Sequence, residues 1–378
     1  MNTNSNIYDT AYFYLTEEGA KLCDRLSAAH PGDIYGKEDF KNNLRDAFSR
    51  YDNLVCVMAT GIVVRILAPL IVHKTSDPAV VVLDQKGRHA ISLLSGHLGG
   101  ANDLAREMAA ISGGDPVITT ATDVAGELSF DSFAKAHNMA IENIGSLKHI
   151  SGALLSGHTI TVITDYQYEE ISKAAKEGKM RLIGTNRFNS ANEKTAYSYK
   201  ASECPDTTAD PYKASEKPEA AAAVVIDEGL ILPEEITSSY LDVLYLRPRT
   251  IYAGIGCKRN MEAEPIEAAL RQVLEEEGLS PLSLACISTI PLKANEPGIL
   301  TTADRLGVTL TIIPTEEIEQ LDMQELNIRP SEFVAQQTGV PSVSTASSYL
   351  ASGKGQILRD KVKFKGITIA LSKKVQDE

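Results

Sequence analysis

Residues 61–105 read GIVVRILAPLIVHKTSDPAVVVLDQKGRHAISLLSGHLGGANDLA, and this stretch decides the fold class. Ala79–Leu83 and His89–Leu94 are short apolar runs of strand length. Between them lies Asp84-Gln85-Lys86-Gly87-Arg88, whose Lys-Gly pair signals a hairpin turn. Upstream, Leu54–Ala59 (LVCVMA) reads as a buried strand. It opens at Thr60-Gly61 into an apolar helix, Ile62–Ile71, which Pro69 kinks or ends. Downstream, Leu104–Ile111 reads as a helix, and Gly113-Gly114-Asp115-Pro116 leads into a strand at Val117–Thr119. Strands and helices alternate. That order predicts an α/β protein, two or three α/β sandwich domains with mixed or parallel sheets covered by helices.

The same grammar continues outward. Residues 15–28 (LTEEGAKLCDRLSA) repeat apolar positions at helical spacing with Thr16 as N-cap, and Lys37–Tyr51 reads as a second helix. Residues 127–187 predict another helix and strands at Thr159–Thr164 and Arg181–Gly184. From Phe188 to about Glu219 large aliphatics thin out, which predicts a long surface loop or linker. Short strands follow in Ala221–Leu232 and Leu241–Leu246, and Arg247-Pro248-Arg249 marks a boundary. The pattern then restarts: a strand at Thr250–Ile255, a loop GCKRNMEAE, and a helix Pro265–Glu277 with Ile266, Ala269, Leu270, Val273 and Leu274 on one face, stopped by Gly278. The expected domains are 1–130, 131–249 and 250–378.

Bulk properties narrow the setting. A chain of 378 residues exceeds one ordinary core, and 43% hydrophobic with 23% charged residues is the balance of a soluble protein. Five cysteines are scattered without CxxC or Cys/His ligand spacing, so no metal site is expected. The start, MNTNSNIYDTAYFYL, lacks a basic n-region, and no apolar run nears the ~20 residues a membrane span needs. A cytoplasmic protein with no membrane partner is expected. A net charge of −13 argues against nucleic acid. Residues 50–110 nevertheless carry about +1, with −14 on the remainder, and a locally basic segment suits an anionic small molecule.

Three loops fall at predicted strand ends: Ala59-Thr60-Gly61, Ser95–Asn102 and Thr119–Asp123. In open α/β sheets ligands gather beyond the carboxyl ends of strands, and glycines admit close backbone approach. None of the loops is a Walker A or GxGxxG sequence, so no nucleotide is inferred. His97 sits in a Gly-bounded loop rather than on an apolar face, which suits acid–base work near neutrality, or a structural role. Lys74 suits a carboxylate or a solvated loop. Arg65 falls one turn into an apolar helix, where its guanidinium needs a substrate carboxylate or a structural acid. A second Gly loop, Gly254 to Asn260, sets Gly256 beside Lys258 and Arg259; Cys257 within it reads as structural.

The run SGHLGGAN at 95–102, TTATD at 119–123 and GIGCKR at 254–259 resemble the CbiG family, the cobalt-precorrin-5A hydrolases of anaerobic cobalamin biosynthesis. The C-terminal stretch, with Leu292-Lys293, Glu296-Pro297-Gly298 and Thr338-Gly339-Val340-Pro341, is similar to that family's CobE-like domain. The resemblance implies an enzyme that opens the δ-lactone of an anionic cobalt-tetrapyrrole with water and releases acetaldehyde. It implies no cofactor, since cobalt arrives inside the substrate, and neighbouring methyltransferases of the pathway as candidate protein partners. On this reading His97 and Lys74 are catalytic, His97 as the base. Gly61, Arg65, Ser95, Gly99, Gly100, Asn102, Gly256, Lys258, Arg259, Lys293 and Glu296 bind substrate. Thr345 and Asn295 stand where the family often has acids. Two rival classes are a non-catalytic tetrapyrrole-binding or channelling protein and a phosphosugar-binding enzyme on a similar fold.

Overall fold

A computed structural model describes residues 8–74, 76–184, 222–230, 240 and 242–375, so the expected linker at 188–219 lies outside the described residues. The first sheet comprises Thr10–Tyr14 (β1), Asp33–Tyr35 (β2), Asn53–Val57 (β3), Ala79–Leu83 (β4), His89–Leu94 (β5) and Asp115–Val117 (β6), in the order β2-β1-β3-β4-β5-β6. Its helices are Glu17–Ala29 (α1), Phe40–Ala47 (α2), Thr60–Leu67 (α3), Ala101–Ser112 (α4), Ala121–Ala125 (α5) and Phe130–Ala136 (α6). Thr16 caps α1 by accepting from the Gly19 N–H, as its sequence position predicts. Helix α3 ends at Leu67, ahead of Pro69.

Strand side chains alternate between faces. Val55, Val57, Val81 and Leu83 meet Leu22 and Leu26 of α1 and Leu104 and Met108 of α4. The intervening Leu54, Cys56, Val80 and Val82 meet Leu44 of α2 and Val63, Ile66 and Leu67 of α3. Burial on both faces explains why β4, AVVVL, is uniformly apolar. The β4–β5 hairpin is the one antiparallel pair in this sheet; β5 and β6 run parallel to each other.

A second sheet is formed by Met139–Ile141 (β7), Ile160–Ile163 (β8), Met180–Ile183 (β9), Ala222–Ile226 (β10) and Asp242–Pro248 (β11), in the order β7-β11-β10-β8-β9. A third joins Ile251–Cys257 (β12), Leu284–Thr289 (β13), Thr309–Ile312 (β14), Gln356–Phe364 (β15) and Ile367–Lys373 (β16), in the order β14-β13-β12-β16-β15. Helices in this half are Leu147–Leu155 (α7), Glu169–Lys176 (α8), Ala263–Glu276 (α9), Pro297–Leu306 (α10), Thr315–Glu319 (α11), Glu332–Thr338 (α12) and Ser344–Ala351 (α13). Ile266, Leu270, Val273 and Leu274 of α9 are fully buried, as their spacing predicts. By compactness the chain forms two units: residues 1–136 with 154–157, and residues 137–153 with 158–378, the latter holding the second and third sheets.

Arg247-Pro248 is the end of β11, the next strand β12 begins at Ile251 in the third sheet, and Arg247 is only 1% exposed. Its guanidinium is satisfied by Glu142 at 2.5 Å and by the carbonyls of Asp227 and Gly229. Of the expected Gly loop 254–260, Gly254 and Gly256 belong to strand β12. A Cβ at Gly254 would run into the backbone carbonyl of Ser344 in α13, so this glycine serves helix–sheet approach, not a ligand.

Candidate functional site

Strand direction sorts the candidate loops. Strands β3 and β4 run parallel while β5 returns antiparallel, with Leu94 opposite Val80 and Ala90 opposite Leu83. The Ser95–Asn102 loop therefore emerges at the starting ends of β3 and β4. Strand β6 follows β5, so the Thr119–Asp123 loop emerges there too. The Thr60-Gly61 turn leaves the finishing end of β3, at the opposite edge of the sheet. The expectation that all three loops form one site is thus wrong for Gly61. Arg65 goes with it: exposed, its guanidinium donates back to the Gly61 carbonyl at 2.9 Å, so its partner is the helix itself rather than an acid. Only topology reveals this, because a hairpin reverses strand direction without changing the sequence grammar.

At the shared edge the chain turns tightly. Ser95 adopts a left-handed backbone at φ 56°, and a Cβ at Gly99 would meet the side chain and carbonyl of Ser95. Gly100, at φ 94°, precedes α4. The Ala101 and Asn102 N–H groups close the turn on the carbonyls of Ser95 and Gly96. Gly99 and Gly100 donate no backbone hydrogen bond found among the described residues. The Gly99 carbonyl accepts from Lys135 Nζ at 2.8 Å, and Ser95 Oγ is buried with no hydrogen-bond partner among the described residues.

The turn delivers His97 between two carboxylates. Its Nε2 lies 2.6 Å from Asp123 Oδ2, at the start of α5, and its Nδ1 lies 3.1 Å from Asp131 Oδ1, at the start of α6. Ser129 Oγ is 3.0 Å from the same Nδ1 and donates to Asp131. Asn102 is a buried strut: its amide donates to Asp123 Oδ2 at 2.9 Å and to Thr120, and its carbonyl accepts from Ser92 Oγ at 2.7 Å. Arg106 reaches Asp123 Oδ1 at 2.5 Å and Asp103 at 2.7 Å. The His97 side chain is 12% exposed.

This geometry sets the charges. Burial alone would lower the His97 pKa, but hydrogen bonds to Asp131 and Asp123 outweigh it and raise it above the ordinary imidazole value. Burial works to raise the Asp123 carboxyl, yet His97 and Arg106 hold it below the usual carboxylate range. Asp131 is lowered in the same sense by His97 and Ser129 against its own burial. The arrangement favours the imidazolium form of His97 between two carboxylates. Both ring nitrogens are occupied, which corrects the expectation of a free histidine base.

Leu98, Gly99 and Lys135 also line an open cleft of about 460 Å³ with Asp9, Arg50, Asp52 and Asp77, at the starting ends of β1, β3 and β4. Lys74 is exposed in the turn before β4, and no hydrogen bond of the His97 cluster reaches it among the described residues. Asp123 lay in a loop flagged by the sequence, but nothing local flagged Ser129, Asp131, Arg106 or Lys135. They reach His97 and its loop only through packing of α4, α5 and α6.

In the C-terminal sheet, Lys258 and Arg259 are exposed just beyond β12. Lys293 and Glu296 bind each other at 2.8 Å, and Glu296 also accepts from the Asn260 N–H at 2.9 Å. That latch ties the loop after β12 to the loop before α10. The hydrogen bond from Lys293 holds the Glu296 carboxyl below its ordinary value. Burial pushes the Cys257 thiol up to about 11, consistent with a structural thiol. Thr345 is fully buried and donates to Asp360 at 2.7 Å, while Asn295 is exposed.

Fold and site define an α/β protein whose first sheet carries an acid-clamped histidine at one edge. Three consecutive segments match known family descriptions: Cobalamin synthesis G N-terminal over residues 42–123, Cobalamin biosynthesis central region over 128–248, and Cobalamin synthesis G C-terminus over 251–372. Cobalt-precorrin-5A hydrolase of Salmonella typhimurium is 33% identical over 375 residues, 96% of each chain. The protein of that name from Priestia megaterium is 32% identical over 331 residues, 87% of this chain and 80% of that one. Protein CobE of Sinorhizobium sp is 28% identical over 105 residues, 28% of this chain and 67% of that one. The chain belongs to the CbiG family of cobalamin synthesis proteins.

Proposed function

We propose that this protein is a cobalt-precorrin-5A hydrolase. It opens the δ-lactone of its cobalt-tetrapyrrole substrate with water, then cleaves a carbon–carbon bond to release acetaldehyde and give cobalt-precorrin-5B. The observation that carries this reading is the 33% identity with the Salmonella hydrolase across 96% of both chains. A non-catalytic binding protein would not need a buried histidine clamped by two acids, and no feature of the site favours a phosphosugar.

The His97 cluster is the reacting centre. As an imidazolium it is the source of the proton that reaches the oxygen leaving the lactone carbonyl, general acid catalysis of the kind that contributes roughly 10²–10⁴-fold. The Gly99 and Gly100 amides are the oxyanion donors, each a contribution of about 3 kcal/mol to barrier lowering. Asn102 holds Asp123, and Ser95 offers a hydroxyl at the same turn. Lys74 takes a peripheral carboxylate of the polyanionic substrate; Lys258 and Arg259 are exposed cations of the second unit. Gly61, Arg65, Gly256, Lys293 and Glu296 act through structure. Cobalt enters with the substrate, so the protein supplies no cofactor. The reaction belongs in the cytoplasm, with neighbouring pathway methyltransferases as candidate partners.

Anaerobic incubation with cobalt-precorrin-5A tests the reading: acetaldehyde should appear in step with loss of the lactone. An intact lactone after prolonged incubation with folded protein would refute it. Raising salt should weaken substrate binding, and replacing Lys74 by Ala should lessen that dependence. Unchanged salt dependence would remove Lys74 from the site.

A further inference from the structure

We propose that Ser129 is a catalytic residue that relays one His97 proton to and from a single substrate oxygen in both bond-breaking steps. The proposal rests on the hydrolase reading and deepens it. The oxygen that leaves the lactone carbonyl in the first step is the oxygen that becomes the acetaldehyde carbonyl in the second. One group placed at that oxygen can therefore give a proton and later recover it.

The geometry points to Ser129 as that group. His97 faces Asp123 through Nε2 at 2.6 Å and Asp131 through Nδ1 at 3.1 Å, so neither ring nitrogen addresses a ligand directly. Ser129 Oγ, 3.0 Å from Nδ1, is the hydroxyl through which a proton can leave. Ser129 is half-buried, and its own hydrogen is directed to Asp131. The charged groups around His97 are Asp123 on α5 and Asp131 on α6, with Arg106 of α4 bound to Asp123 and Asp103 beyond it. Lys135 is engaged with the Gly99 carbonyl of the His97 loop.

The steps balance. Water bonds through its oxygen to the lactone carbonyl carbon, and the acyl C–O bond breaks with its electron pair staying on the ring oxygen. That oxygen takes the Ser129 hydroxyl proton while Ser129 takes the proton of His97 Nδ1. The new carboxyl group ionises, and both water protons pass to solvent. His97 is now neutral between two carboxylates, a state their charge disfavours, so it draws a proton back. The alcohol gives its proton to Ser129 and Ser129 gives one to His97. The O–H electron pair becomes the carbonyl π bond of acetaldehyde, and the carbon–carbon bond breaks with its pair entering the conjugated macrocycle. His97 is restored as an imidazolium.

The test is an anaerobic single turnover with cobalt-precorrin-5A, in which mass spectrometry follows the lactone, the ring-opened alcohol and the final product. Wild type, Ser129→Ala and Ser129→Thr are compared, with the His97 ring titrated by NMR in each. Ser129→Ala is expected to slow both steps by about 100-fold or more, at the low end of general acid–base contributions, while His97 stays an imidazolium at neutral pH. Ser129→Thr, which keeps the hydroxyl, should recover most of the rate. Wild-type rates should fall as pH rises through the His97 titration. Wild-type turnover with an unimpaired Ser129→Ala overturns the relay alone, as does an alcohol that accumulates in Ser129→Ala at the wild-type rate of ring opening. Loss of the His97 imidazolium in Ser129→Ala would assign the serine a structural role and overturn it also. A wild type that leaves the lactone intact overturns the hydrolase reading and the relay with it.

Discussion

His97 stabilises the first unit as well as serving the proposed chemistry, and the two roles have separable pH signatures. Its folded pKa is raised above the ordinary 6.5, so the stability it confers is complete below that value and lost as pH climbs through the folded value. Asp123 and Asp131 are lowered from 3.8, so theirs is present above that value and lost as pH falls through their folded values. The difference in unfolding free energy between wild type and His97→Gln is expected to be greatest between those limits. It should shrink on both sides, as urea melts across pH would show. Removing one partner of a largely buried ion pair costs about 3 kcal/mol, so His97→Ala should lower the melting temperature as well as turnover. Asn102→Asp is expected to be worse than Asn102→Ala, because it sets a third carboxylate 2.9 Å from Asp123 where an amide now donates. Equal melting temperatures for the two variants would contradict this. At this scale the sequence flagged His97 and Asn102 from their Gly-rich turn. It left Asp131 and Ser129 unmarked, because each is an ordinary polar residue near a helix start until α6 packs beside the turn.

At the scale of elements, two glycines with opposite surroundings make a controlled comparison. Gly254 lies where α13 presses its backbone onto β12, so Gly254→Ala must separate helix and strand and should cost about 1–3 kcal/mol or more. Gly152 lies in α7 with nothing among the described residues within 4 Å of the place an alanine methyl would take, and alanine is the better helix former there by up to about 1 kcal/mol. Thermal melts should move down for the first and slightly up for the second. Element identity was largely legible from pattern: α1 with its Thr16 cap, the β4–β5 hairpin and the buried face of α9 all stand where periodicity and turn chemistry put them. The continuation of β12 through Gly256 and Cys257 was not, because glycine in a sequence cannot distinguish a loop from a strand that must admit a close neighbour.

Across the whole molecule, the first unit owns both faces of its sheet and the complete His97 cluster. A fragment ending at Ala136 is expected to unfold cooperatively and to keep the raised His97 titration, which CD and NMR would report. A fragment lacking either would show that the unit depends on the rest of the chain. In the second unit, fully buried Glu228 joins the two sheets by accepting from Tyr166, from Thr250 at 2.5 Å and from Lys373 at 3.1 Å. Glu228→Ala takes the carboxylate away from these three donors, one of them a largely buried ammonium, and about 3–5 kcal/mol of destabilisation is expected. A melt within experimental error of wild type would mean that water replaces the carboxylate.

The sequence by itself determined the α/β class, the order of elements, the family and the histidine at the centre of the candidate site. These follow from local periodicity, turn chemistry and motif, which act over a few residues at a time. Only the tertiary structure decided which loops share an edge. The reversal at β5 carries Gly61 and Arg65 away from His97 and brings Asp123, Ser129 and Asp131 to it. The upward shift of the His97 pKa follows from that assembly, since a ring nitrogen is tuned by the groups folding sets within hydrogen-bonding distance rather than by its neighbours in the chain.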